Sequence, residues 1–276
     1  MEDLLMLAAA MLISGCIAGL FAGLLGVGGG IVVVPMMELA LSFVGVDPSI
    51  RMHIAVATSL AVIIPTSVVS SRAHHRKKAL DIVLAKRWAF FILTGALAGT
   101  FIAAQVHSRV LAAIFALFAF LIGLKMIFRH ENRPLASSVP ASAWVQIIPA
   151  AIGFLSSMMG IGGGTFSVMV LTLFGKRIHE AVGTSALFGL FIALPGTIGY
   201  IIPGFENPLL PPLSLGFVSL VGFALIAPAT VLMAPVGAKI AHGLSRQQLN
   251  LVFGLFLLIA SIRMASRAIA VPGTLG

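Results

Sequence analysis

Gly19-Leu20-Phe21-Ala22-Gly23-Leu24-Leu25-Gly26-Val27-Gly28-Gly29-Gly30 decides how this chain is read, because its last five residues return as Gly160-Ile161-Gly162-Gly163-Gly164. Each copy interrupts an apolar stretch that otherwise reads as membrane-embedded helix. Glycine lets the backbone turn sharply and approach a ligand closely, and the helix beginning after each tract presents unpaired N–H groups and a positive dipole end. Two such sites, one per half, are what an anion transporter built from a duplicated unit would need.

Hydrophobic residues fill 59% of the 276 positions and charged residues only 9%, a balance foreign to soluble domains. The chain therefore reads as an all-α polytopic membrane protein. Apolar runs near the ~20 residues of a spanning helix take up most of it and leave no room for a soluble domain, and they lack the alternation of barrel strands. A formal charge of +9 would suit nucleic acid, but the basic residues sit between and at the ends of apolar runs, where they set orientation. The bilayer is the expected partner, and nucleic acid is not. The single cysteine, Cys16, excludes an internal disulfide or a multi-cysteine metal cluster. Ile13-Ser14-Gly15-Cys16 looks like a lipoprotein box, but the acidic Met1-Glu2-Asp3 flank is wrong for a signal peptide, so Cys16 is expected to pack as a small apolar residue.

The duplication extends beyond the tracts. Gly19 to Gly30 match Gly153 to Gly164 at an offset of 134, with five glycines identical. His53 to Ser59 match His179 to Ser185 at 126, and Leu111, Phe115, Phe118 and Met126 match Leu249, Phe253, Phe256 and Met264 at 138. The matches keep their order, and the offsets change only in turn-rich segments, Gly45 to Met52 and Pro203 to Pro212, as expected of a repeat. Residues 1–133 and 134–276 are read as two membrane repeats of one integral unit.

Spans are expected at Leu4 to Leu25, Ile31 to Val44, Ile54 to Ser70, Trp88 to Ala104 and Val110 to Phe128. The second half repeats them at Ala141 to Met159, Thr165 to Phe174, Ala181 to Ile202, Leu215 to Ala238 and Leu249 to Ala265. The segment after each tract is too short to cross comfortably, so each half is drawn as a glycine-broken hairpin plus three spanning helices, about eight to ten membrane segments in all. If the loop with Arg72, Arg76, Lys77, Lys78, Lys86 and Arg87 is cytoplasmic, Lys125, Arg129, Arg133, Lys176, Arg177, Lys239 and Arg246 are inside too. Only Arg51, Arg109, Arg263 and Arg267 fall outside, with the acidic N terminus, a clear positive-inside bias. An odd number of crossings per half inverts the second repeat, which places equivalent sites near the midplane.

These residues resemble the sulfite exporter TauE/SafE family of duplicated anion permeases. The resemblance rests on Gly19 to Gly30 followed by Pro35, on the second tract, and on Ala57-Thr58-Ser59 with Gly183-Thr184-Ser185, and it covers essentially the whole chain. It implies a bacterial inner-membrane protein that moves sulfite, thiosulfate or an organosulfonate. The second copy has Met169 where the first has Pro35, so that proline has no symmetrical role.

Sulfur oxyanions offer several acceptor oxygens, which the N–H groups of Gly28, Gly29, Gly30 and Ile31, and of Gly162, Gly163, Gly164 and Thr165, can satisfy without a buried cation. The same glycines also suit close helix packing, the role expected of Gly19, Gly23, Gly95 and Gly99. Thr58, Ser59, Thr184 and Ser185 either donate to substrate or bond a carbonyl one turn back. His53 and His179 stand at matching helix starts, as gates or as interfacial caps. Glu38 is a lone carboxylate in an apolar segment, a candidate for coupling to protons or another ion, opposite Thr172 in the second half. Pro65 and Pro195 are expected to hinge their helices. Neither a catalytic dyad, a CxxC pair nor a nucleotide-binding motif occurs, so a non-enzymatic, secondary-active or facilitative transporter without a cofactor is expected. The alternative is a membrane assembly factor or a metal handler built on His74-His75, although that pair sits in a basic segment that repels cations.

Overall fold

The computed structural model describes residues 2–25, 29–128, 139–140, 143–243 and 246–269. Gly28, Arg129, Arg133 and the expected boundary between residues 133 and 134 lie outside these, as do the surroundings of Gly23.

Among the described residues the chain forms ten α-helices: α1 (Glu2–Leu25), α2 (Gly30–Phe43), α3 (Arg51–Arg76), α4 (Ile82–Gln105), α5 (Ser108–Phe128), α6 (Ile147–Met159), α7 (Gly164–Leu173), α8 (Ile178–Gly204), α9 (Leu220–Gly243) and α10 (Arg246–Ile269). The helices α3, α4, α5, α8, α9 and α10 are each long and apolar enough to cross a membrane. The protein is an all-α, multi-pass membrane protein. Helices α2, α6 and α7 have 14, 13 and 10 residues, rising about 21, 20 and 15 Å, short of the ~30 Å hydrocarbon layer. Large apolar side chains such as Phe101, Leu232 and Ile262 point outward from the helix assembly, as they do when the surrounding solvent is lipid.

Several boundaries differ from the hydropathy reading. Helix α4 starts six residues before Trp88, because the Asp81 carboxylate accepts from the Leu84 N–H at 2.9 Å and caps it. Helix α8 runs through Pro203, and α9 starts at Leu220 rather than Leu215. The intervening residues form a small antiparallel hairpin pairing Ser214 with Ser219 and Leu215 with Val218, turned by Gly216 at φ 55°. Phe217 at its tip stacks on His53 with ring centroids 5.1 Å apart.

Eight of the ten helices pair chiefly with a helix that is not their sequence neighbour, α1 with α9, α4 with α6, α3 with α8 and α5 with α10, while the short α2 lies on α1 and α3 and the short α7 on α8. Small residues bring the backbones together, since a methyl on Gly19 would meet the Thr230 carbonyl, one on Gly153 that of Ile92, one on Gly99 that of Phe154, and one on Gly237 that of Leu20. At one end of the bundle Arg87 donates to the Pro140 carbonyl at 2.8 Å and Lys176 pairs with Asp81 at 2.6 Å. At the other, the Met52 N–H donates to Ser108 Oγ at 3.0 Å, and Glu38 lies against Arg263 and Arg267.

Candidate functional site

The two glycine tracts meet where α3 crosses α8. Gly29 and Gly163 hold left-handed conformations, φ 72° and 54°, at the N-caps of α2 and α7, a geometry that favours glycine. A Cβ on Gly30 would stand 2.8 Å from the Gly160 carbonyl oxygen, so the tracts of the two halves touch. Ser59 joins them: its hydroxyl donates to the Gly160 carbonyl at 2.7 Å and leans toward that of Gly30 at 3.4 Å. Gly29 to Pro35 and Ser156 to Gly164 are buried.

In the second tract the Gly163 N–H donates to the Ile161 carbonyl at 2.9 Å and the Gly164 N–H to that of Gly162. Those two amides are spent inside the loop rather than offered outward, which narrows the expected donor set. The first helical bond runs from the Ser167 N–H to the Gly163 carbonyl at 2.8 Å, so the Thr165 and Phe166 amides are the first-turn donors left without a helical acceptor. Ser156 Oγ in the last turn of α6 and Thr165 Oγ1 and Ser167 Oγ in the first turn of α7 are buried hydroxyls without a partner. Such a group costs about 1–3 kcal/mol, which an acceptor ligand would recover. Ser156 and Ser167 escaped the sequence reading. The signal was there, because their counterparts and that of Thr165 at the offset of 134 are Ala22, Val33 and Ile31: only the second tract carries hydroxyls.

The matched Thr-Ser pairs divide their roles. Thr58 Oγ1 accepts from the Ser219 N–H and Thr184 Oγ1 from the Asp81 N–H, both at 3.0 Å. Ser219 and Asp81 in turn cap α9 and α4 through Gly222 and Leu84. Each threonine thus braces the first turn of a helix in the other half. Ser185 bonds the Val182 carbonyl of its own helix at 2.9 Å, so of the four hydroxyls only Ser59 reaches a tract.

His53 is not an interfacial cap: it is buried, with Nε2 3.1 Å from the Val106 carbonyl, whereas His179 is exposed. The matching positions therefore do not match in environment. Glu38, read as a lone acid, is not alone. Buried at 3% exposure, it lies 3.1 Å from Arg263 Nη2 and 3.6 Å from Arg267 Nε, partners more than two hundred residues away that no local pattern reveals. Pro65 and Pro195 lie inside α3 and α8, where each removes a helical hydrogen bond. Among the described residues no three histidine, cysteine or acidic side chains gather as a metal site.

Burial raises the Asp81 carboxyl, but the Leu84 amide and the Lys176 ammonium outweigh it and hold the group below the usual carboxylate range. A depressed acid contributes stability above its unfolded value near 3.9 and loses it as pH falls through the folded value. Thermal unfolding of the wild type should therefore weaken more steeply than that of Asp81→Asn below about pH 4. Parallel curves would show the pair to be without effect.

A family model for the sulfite exporter TauE/SafE matches residues 11–264. The chain belongs to the TauE/SafE family. This TauE/SafE protein is 33% identical over 256 residues to a probable membrane transporter protein of Haemophilus influenzae, covering 92% of this chain and 96% of that one. It is 24% identical to one of Methanocaldococcus jannaschii, covering 93% and 97%, and 28% identical to one of Bacillus subtilis, covering 71% and 79%. No solved structure matches the chain significantly. The family is described as a sulfite exporter and these relatives as probable membrane transporter proteins, which supports membrane transport as the function of this TauE/SafE chain.

Proposed function

We propose that the protein is a secondary-active or facilitative transporter of a small sulfur-containing anion, such as sulfite, thiosulfate or an organosulfonate, with the joined glycine tracts as its site. The observation that carries this is the unpartnered hydroxyls that flank the second tract, Ser156 in the last turn of α6 and Thr165 and Ser167 in the first turn of α7. Together with the free amides of that turn they supply neutral donors, which suit an oxyanion that must leave again. Ile31 and Gly30 contribute apolar walls and backbone from the first half.

In this reading the halves, residues 1–133 and 134–276, are inverted repeats that rock about the tracts in the inner membrane, with the N terminus outside. The exchange of contacts supports it. Thr58 with Ser219 mirrors Thr184 with Asp81, Gly19 with Thr230 mirrors Gly153 with Ile92, and Leu20 with Gly237 mirrors Phe154 with Gly99. Asp81, Ile92 and Gly99 each stand 138 positions before Ser219, Thr230 and Gly237. Contacts of residue i with j repeated as j with i are the mark of a twofold axis. The burial of Gly29, Gly30 and the second tract fits an occluded state, reached from each side in turn.

The test is sulfite flux into proteoliposomes holding the purified protein. Thr165→Val and Ser167→Ala should each reduce flux about tenfold, the worth of one hydrogen bond near 1.4 kcal/mol, and together more. Absence of flux for every sulfur oxyanion tried would sink the substrate assignment.

A further inference from the structure

We infer that Arg51, Arg263, Arg267 and Ser42 form a second anion site, for a small divalent oxyanion, in which the Glu38 carboxylate is a tethered occupant that an incoming anion displaces. Its role as a point of entry rests on the anion-transport reading; the binding does not.

Charge is the first argument. Two guanidiniums, Arg263 and Arg267, lie against one buried carboxylate, a third, Arg51, joins Arg267 at Ser42 while its Nε donates to the Val46 carbonyl, and Asp47 is engaged with the Ser49 N–H and hydroxyl at 2.8 and 2.6 Å. Arg51 Nη1 and Arg267 Nη2 both donate to Ser42 Oγ, at 3.0 and 2.7 Å, which gathers two cations on one hydroxyl. Like charges so placed at the edge of an apolar bundle favour a counter-anion.

Geometry is the second. A clasp made for stability pairs guanidinium and carboxylate through two parallel hydrogen bonds. Here Arg263 comes within 3.1 Å of Glu38 Oε2 without hydrogen-bond alignment, and Arg267 stays at 3.6 Å from Oε1. The carboxylate is held by attraction and little else, and a ligand with more oxygens would engage donors that it leaves idle.

Position is the third. The Arg263 and Arg267 side chains are 26% and 31% exposed while Glu38 is 3% exposed, so the cations are reachable and their internal anion lies behind them. Glu38 stands eight residues beyond Gly30 on the same helix, about 12 Å along the axis. Helix α2 therefore links this cluster to the tracts. The second half has Thr172 at the matching position, its hydroxyl bonded to its own helix at Val168 and Met169, so the arrangement is one-sided.

The probe is inorganic sulfate, titrated calorimetrically against the purified full chain. Glu38→Gln should bind sulfate about tenfold tighter than the wild type, a modest share of what removing a unit charge some 4 Å away allows. Arg263→Gln with Arg267→Gln in that background should abolish the gain. Unchanged affinity in Glu38→Gln, or a gain that survives loss of both arginines, overturns the proposal. On the wild type, saturating sulfate should slow modification of Arg263 and Arg267 by phenylglyoxal, mapped by mass spectrometry; unaltered rates overturn it even if a variant fails to fold. Sulfate binding without sulfite flux in liposomes would defeat the transport reading and leave this site standing. Flux with no sulfate effect at these residues would do the reverse.

Discussion

Gly163→Ala should insert into the membrane and purify as a single species, yet its sulfite flux should fall to about a tenth or less, because alanine in the left-handed region costs roughly 1–2 kcal/mol. Gly163 holds φ 54° at the N-cap of α7, and the nearest atom to an added methyl is Ile192 Cδ1, at 2.8 Å, the flexible end of a side chain. The bundle can absorb that contact; the turn cannot keep its shape without strain. Relaxing the turn re-aims the Thr165 and Phe166 amides, which is why flux suffers before stability does. Adding Ile192→Ala separates the two causes. If the double variant recovers flux, the tract is a packing device and not a site.

The second large effect falls on folding. Gly99→Ala and Gly237→Ala should each cost more than about 3 kcal/mol, the upper end for overpacking, since the added carbon overlaps the backbone carbonyls of Phe154 and Leu20, which cannot swing aside, and at Gly99 the Ser157 hydroxyl as well. Size-exclusion profiles and melting in detergent read the loss. The prediction is sharper than simple damage: the two positions are 138 apart and occupy mirrored helix contacts, so their penalties should be similar. A tolerant Gly237 beside an intolerant Gly99 would break the equivalence of the halves.

Much of the architecture was legible in the residues. Apolar runs locate the helices because the lipid-facing exterior leaves little room for polar interruption, and the glycine tracts mark the breaks because only glycine holds φ 72° and 54° without strain. Helix starts were less legible. Hydropathy falls where α4 carries Lys86 and Arg87 in its first turns, yet the helix begins at Ile82, and the cue lay in the capping Asp81 rather than in the apolar pattern. The site was half visible. Comparing the tract copies residue by residue isolates Ser156, Thr165 and Ser167, but the bracing roles of Thr58 and Thr184 depend on Ser219 and Asp81, 161 and 103 residues away. Glu38 was misread for the same reason. Local spacing says nothing of Arg263 and Arg267, which arrive from the last helix.

The pairing of α1 with α9, α4 with α6, α3 with α8 and α5 with α10 has a consequence for the order of synthesis. When α5 leaves the ribosome, none of α1, α3, α4 and α5 has yet met its principal partner. They must wait in the bilayer as separate spans, tolerable because lipid satisfies their apolar faces and each helix satisfies its own backbone. Closure then falls to the last segments made. Cutting the chain before α10 should leave the other three pairs able to close and α5 alone without its partner, inserted and resistant to extraction from the membrane but open to protease at that helix, so that the last step in the maturation of this protein waits for its C-terminal helix.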